Sequence, residues 1–184
     1  MKRLFDIIIC FTVLPFILPL MAAAAAAVII DSGFPAIFLQ DRVGRNDRFF
    51  RIYKFRTMIP DAERKGPLLA ERGDPRVTRV GRFLRRWSLD ELPQIFNVLR
   101  GDMSLVGPRP ELPQLVASYN HWQRQVLQGL PGVTGFSQIH GRDDLSMDTK
   151  LRLDIYYLRH RSLGLDIWII WRTAFELVSG RGAF

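Results

Sequence analysis

Residues 7–30, "IIICFTVLPFILPLMAAAAAAVII", carry no charged side chain and lie between Asp6 and Asp31. Wound as one helix, the run is about 36 Å long at roughly 1.5 Å per residue, enough to cross a hydrocarbon layer of about 30 Å. Three arrangements fit: a spanning helix, a cleaved leader, and a segment that enters a membrane and turns back. Lys2, Arg3 and the alanine tract suit a leader, but Asp6 interrupts the basic region and Val28, Ile29 and Ile30 continue past the alanines. Pro15 and Pro19 each remove a backbone hydrogen bond in mid-run, which predicts a kink. Basic residues flank both ends, Lys2 and Arg3 before it and Arg42, Arg45, Arg48 and Arg51 after it. If positive flanks stay on the cytoplasmic side, both ends belong there, which sets a helix broken near Pro19 level with a straight span.

The chain has 184 residues, enough for one domain with a core plus an appendage. The expected division is a membrane-anchoring helix at 1–31 and a catalytic domain at 32–184. Lys and Arg total 26 against 18 acids, a formal net charge of +8, so anionic partners are expected. Cys10 is the single cysteine, which excludes an internal disulfide framework and fits a reducing compartment. His121, His140 and His160 lack metal-ligand spacing.

The pattern predicts a mostly helical α+β domain. "AIFLQ" and "RFFRIYKFRTM", joined through "GRND", read as a β-hairpin. Helices are expected over 61–71, 79–87, 93–99, 111–128 and 148–159. "LGLDIWIIWRTAFELV" is too short and too charged to span a membrane; its Trp168 and Trp171 suit either a membrane interface or an ordinary core helix.

The most informative stretch is "SLDELPQ", residues 88–94. Ser88 and Glu91 have the spacing of a capping box, with Asp90 favoured by the helix dipole. Pro93 opposes this, because a helix begun at Ser88 would lose an early hydrogen bond there. Pro93 is better placed as the first helical residue, which leaves Asp90 and Glu91 in a turn just ahead of a helix N-terminus. Arg85, Arg86 and Arg109 lie within sequence reach of the same anion. A carboxylate among arginines is expected to stay ionised and to suit a hard cation such as Mg2+. Phosphoryl chemistry needs such a nucleophile and such clamps.

The motifs "KRLFD", "YKFRTM", "RRWSLDELPQIFNVLRGDMSLVGPRP" and "PGVTGFSQIHGRDDL", in that order over nearly the whole chain, closely resemble the monotopic phosphoglycosyl transferases, the bacterial sugar transferase family. The resemblance implies transfer of sugar 1-phosphate from a UDP-sugar to polyprenyl (undecaprenyl) phosphate, with release of UMP, at the cytoplasmic face of the bacterial inner membrane. It implies Asp90 as a nucleophile that carries a covalent phosphosugar, with Mg2+ bound beside it, and Glu91 as its partner in a dyad. Arg85, Arg109 and Arg142 are implied as phosphate ligands, with Lys54 supporting the site. It also implies a re-entrant helix-break-helix anchor and interfacial helices. The family's break is commonly Ser-Pro; here it matches Leu18-Pro19. The short chain is expected to be a minimal catalytic core, and a homodimer is compatible with the pattern. Neither the sugar nor the downstream glycan is legible.

Two rival classes account for less. A basic nucleic-acid binder accounts for the charge, but no RNA-binding or zinc-finger pattern is present and the apolar segment opposes it. An inactive membrane-anchored scaffold is opposed by the presence of Asp90, Glu91 and Arg109.

Overall fold

The computed structural model describes residues 1–67, 73–141 and 144–179. Its first element, α1 (Lys2–Ser32), is helical without interruption through Pro15 and Pro19. Each proline lacks the N–H that would bond four residues back, so the carbonyls of Phe11 and Pro15 lose their helical donors, yet neither proline ends the helix. The expected helix-break-helix is therefore not seen as an interruption of secondary structure. By length and composition α1 can cross a membrane. Along its middle, Phe11, Phe16, Leu18 and Leu20 are exposed.

The hairpin forms as the alternating pattern predicts. β1 (Ile37–Val43) pairs antiparallel with β2 (Phe49–Phe55), in a register that sets Gln40 opposite Ile52. The connecting Asn46 and Asp47 take left-handed backbone angles, which their short polar side chains tolerate. α2 (Arg79–Arg86), α3 (Gln94–Arg100), α5 (Met147–His160) and α6 (Leu163–Ser179) lie close to the expected positions. Between α3 and α5 stand β3 (Ser104–Val106), α4 (Pro113–Ala117) and β4 (Gly132–Thr134).

Two expectations need correction, and one strand pairing was not foreseen. The helix expected over 111–128 is two pieces, α4 and a 3-10 segment at Gln123–Gln128, because Asn120 and Gln123 exchange side-chain and backbone hydrogen bonds that form a turn between them. The stretch expected to be helical over 61–71 has only a 3-10 turn at Ala62–Arg64 among its described residues, and 68–71 lie outside them. β3 and β4 form a parallel pair that three-residue strands did not reveal.

α1 packs along the domain rather than standing clear of it. Cys10 packs with Ile52, Ile95, Val98 and Met103, while Met21, Ala24 and Val28 pack with Phe55 and Leu84. Polar ties fix both ends. Arg3 donates to the last carbonyls of α3, Val98 O and Leu99 O, and Asp6 accepts from Ser104 Oγ at 2.9 Å. Lys2 pairs with the buried Asp166 at 2.6 Å. At the other end Arg56 donates to the carbonyls of Ser32, Gly33 and Phe34, and Asp31 accepts from Val80 N at 3.1 Å. A helix that buries charges this way has them paired, as a low-dielectric setting requires.

Two contacts set the site. Asn97, fully buried, accepts from Tyr53 N at 3.0 Å and donates to Arg51 O at 2.7 Å, so its amide ties α3 to the edge of β2. Gly81 lies so close to the end of β2 that a Cβ there would stand 2.1 Å from Thr57 O, so only glycine lets α2 approach. α6 packs on the core by one face, where Ile169 is buried with Val106, Ile139 and Tyr157, and leaves Trp168 and Trp171 exposed on the other, so both readings hold in part.

Candidate active site

The turn before α3 decides how the two adjacent carboxylates are used. Ser88 has left-handed angles (φ 52°, ψ 24°) and makes no side-chain cap bond. The capping box is therefore absent. Leu89–Glu91 form a 3-10 turn, Pro93 takes helical angles, and α3 begins at Gln94. Pro93 thus stands just ahead of the helix, consistent with its lack of an N–H. Ser88 holds a backbone conformation uncommon for a residue with a Cβ, the kind of strain that often accompanies functional turns.

Glu91, released from capping, points into an ion cluster. Its Oε1 accepts from Lys54 Nζ of β2 at 2.8 Å and lies 3.4 Å from Arg109 Nη2. Burial alone would push its carboxyl up; the charges of Lys54 and Arg109, and their hydrogen bonds, outweigh burial and hold it well below the ordinary range. Asp90, one residue earlier, behaves oppositely. It is buried, and burial, reinforced by the neighbouring Glu91 charge, raises its carboxyl above the ordinary range, while Lys54 and Arg85 pull it back. The expectation that arginines depress both carboxylates therefore holds only for Glu91.

Asp90, Glu91, Lys54, Arg85 and Arg109 all line one cleft of about 1430 Å³. Arg85 is oriented by its Nε, which donates to Thr57 Oγ1 at 2.9 Å. Arg109 sits in the loop after β3. Arg142 lies outside the described residues. Pro19 is on α1 and does not line the cleft, though Val13 and Ile17 of the same helix do. The cleft thus combines an ionic cluster with an apolar wall contributed by the membrane-type helix.

Sequence reasoning missed Arg42, and the structure places Asp154 at the same cleft. Arg42 lines the cleft and donates to Pro110 O at 3.1 Å, which braces the Arg109 loop from β1. Burial, with the neighbouring Arg109, lowers it to about 10, so it remains a cation at neutral pH. Its signal was the two-residue period that sets Gln40 and Arg42 on one strand face, where Arg42 Nη2 donates to Gln40 Oε1 at 2.7 Å. Asp154, on α5, accepts from Ser137 N at 3.2 Å and from the Arg109 backbone N–H. It therefore holds the main chain of a cleft residue from behind.

Comparison with known proteins gives a consistent result. The model of the bacterial sugar transferase family matches residues 1–180. A UDP-N-acetylgalactosamine-undecaprenyl-phosphate N-acetylgalactosaminephosphotransferase of Aeromonas hydrophila is 42% identical over 190 residues, which cover 99% of this chain and 44% of that protein. A UDP-glucose:undecaprenyl-phosphate glucose-1-phosphate transferase of Escherichia coli (strain K12) is 39% identical over 196 residues, 100% of this chain and 41% of that one. The sugar transferase EpsL of Bacillus subtilis (strain 168) is 38% identical over 182 residues, 99% of this chain and 89% of that protein. The chain thus belongs to the bacterial sugar transferase family. It spans less than half the length of the Aeromonas and Escherichia relatives.

The Asp154 environment generates a pH prediction. Burial pushes its carboxyl up to about 6, against the pull of the Ser137 and Arg109 hydrogen bonds. An unfolded Asp titrates near 3.9, so between about pH 4 and pH 6 the folded chain binds the extra proton and stability falls as pH rises. Asp154→Asn is expected to flatten that fall, as read from denaturation midpoints between pH 4 and 7. A slope unchanged in the variant contradicts the assignment.

Proposed function

We propose that this protein transfers sugar 1-phosphate from a UDP-sugar to a polyprenyl phosphate, with Asp90 as the nucleophile. The observation that carries the reading is the cleft itself: a buried Asp90, a clamped Glu91 and three basic side chains share it with apolar residues of α1. The names of the relatives, undecaprenyl-phosphate sugar phosphotransferases among them, support the substrate class.

In the first step an Asp90 carboxylate oxygen forms a bond to the sugar-bearing phosphorus. The bond from that phosphorus to the bridging oxygen breaks, and UMP leaves with the electron pair. In the second step an oxygen of the lipid phosphate attacks the same phosphorus, the bond to Asp90 breaks, and the carboxylate is regenerated beside a polyprenyl-diphosphate sugar. Lys54, Arg85 and Arg109 offset phosphate charge in both steps. Glu91 keeps Lys54 and Arg109 in place by charge, since those two cations hold its carboxyl well below the ordinary range.

The donor set suits Mg2+. Asp90 and Glu91 offer hard oxygens, Glu91 Oε1 is engaged by Lys54 and Arg109, and among the described residues no third potential ligand joins them. Mg2+ is commonly held by one or two carboxylates and completed by substrate phosphates and water. Bound there through Asp90, it would neutralise charge on the transferred phosphate.

The proposed setting is the cytoplasmic face of a bacterial inner membrane, with 1–31 entering and leaving from that side. What supports it is that one folded unit holds both ends of α1, through Lys2, Arg3 and Asp6 and again through Asp31 and Ser32. From Asp6 to Val28 the helix rises about 33 Å at 1.5 Å per residue, more than a hydrocarbon layer of about 30 Å. A straight span would carry those two ends to opposite faces.

Asp90→Asn is expected to lower UMP release from UDP-sugars by at least about 10³-fold without altering membrane association, because the amide cannot serve as the leaving and attacking carboxylate. Near-normal release in that variant refutes the nucleophile assignment. For topology, cysteines introduced at Met1 and Phe184 should both be shielded from a membrane-impermeant reagent in intact cells and labelled in inverted vesicles. Labelling of the N-terminal site in intact cells refutes the re-entrant arrangement.

A further inference from the structure

α6 packs on the core through Ile169, yet its outer face is apolar as well. Ile167, Trp168 and Trp171 are exposed on that outer face, whereas Arg172, Thr173 and Glu176 on the other side line the cleft, which the exposed Phe175 also borders. At 3.6 residues per turn these two sets lie on different faces. The inner face is fixed to the domain by Thr173, whose Oγ1 is 2.6 Å from Thr134 Oγ1 of β4. Thr134 O in turn accepts from Gly107 N at 2.9 Å, two residues before Arg109, so this wall is tied to the loop that carries a phosphate-facing arginine.

The chemistry of this wall differs from that around Asp90. Arg172 Nη2 stands 3.4 Å from Glu176 Oε1, so the two charges offset each other. The cluster around Asp90 sets Lys54, Arg85 and Arg109, with Arg42 beside them, against Asp90 and Glu91, and is the part of the cleft that attracts phosphate. Among the described residues, two polar atoms of the wall are buried without a hydrogen-bond partner: Arg172 Nε, a donor, and Gln138 Oε1, an acceptor. Gln138 is oriented by its amide nitrogen, which donates to Val133 O of β4 at 3.4 Å. An unmet donor and an unmet acceptor, with a carboxylate alongside, match a group that both donates and accepts, which is what a sugar hydroxyl does.

We propose that Arg172, Glu176 and Gln138 bind the hydroxyl groups of the donor's sugar and discriminate among UDP-sugars, with Thr173 positioning the helix that carries two of them. This rests on the UDP-sugar reading above. Hydroxyls occur on the hexose and on the ribose of such a donor, and the proposal commits to the hexose.

The test uses the full chain in membranes, with UMP release measured from UDP-glucose, UDP-galactose and UDP-N-acetylgalactosamine and with inhibition by UMP measured on the same preparations. Glu176→Gln and Gln138→Ala are expected to raise KM for the preferred donor about tenfold and to change the ratio of kcat/KM among the three sugars about fivefold or more, the scale set by one lost polar contact. Inhibition by UMP should stay within about twofold, which also reports an intact nucleotide site. Equal weakening of UMP and of every donor assigns the wall to ribose and overturns the proposal, as does an unchanged KM with unchanged sugar preference. A uniform fall in kcat alone marks a structural role and overturns it too. If the unaltered chain releases UMP from none of the three donors, the transferase reading itself fails and takes this proposal with it.

Discussion

The contact between Glu91 and Lys54, with Arg109 on the same carboxylate oxygen, holds together three segments far apart in sequence: the hairpin, the turn before α3 and the loop after β3. The Lys54 and Glu91 side chains are largely withdrawn from solvent. Removing one partner would therefore strand a charge rather than simply lose an attraction. The rest of the site depends on this arrangement. With Glu91 committed to the clamp, the neighbouring Asp90 is buried beside its charge, and burial first and that charge second raise its carboxyl above the ordinary range. Two adjacent acids thus acquire different characters from their surroundings alone.

Other elements serve to keep that clamp in register. Asn97 secures α3 to the edge of β2 beside Lys54, Gly81 lets α2 bring Arg85 against Thr57, and Arg42 and Asp154 grip the Arg109 loop from two sides. α1 contributes in two ways. Its polar ends bind the domain, and its exposed apolar middle is suited to lipid rather than water. Its Val13 and Ile17 also reach the cleft, so the apolar surface of α1 is continuous with the surface that lines the candidate site.

Much of this was legible from residue pattern. The alternating "RFFRIYKFRTM" gave the hairpin, and Pro93 outweighed the Ser88–Glu91 spacing in placing the start of α3, because a proline's missing donor is a stronger constraint than an optional cap. What the pattern could not give were long-range matters. The parallel pairing of β3 with β4 depends on contacts between distant segments, and the turn at Asn120–Gln123 depends on side chains competing with the helix. The opposite shifts of Asp90 and Glu91 were hidden as well, since they follow from burial and from which acid meets Lys54. The partner of Glu91 is 37 residues away in sequence.

The central claim is that Asp90 becomes covalently attached to the sugar phosphate. It is tested most directly by mixing the protein with a UDP-sugar in the absence of lipid phosphate, quenching rapidly, and locating any added mass by peptide mass spectrometry. The account predicts at most one UMP released per chain in the initial phase, together with a sugar-phosphate adduct on the peptide that contains Asp90 and none in Asp90→Asn. Turnover that requires both substrates together and leaves no adduct, or an adduct on another residue, would contradict it.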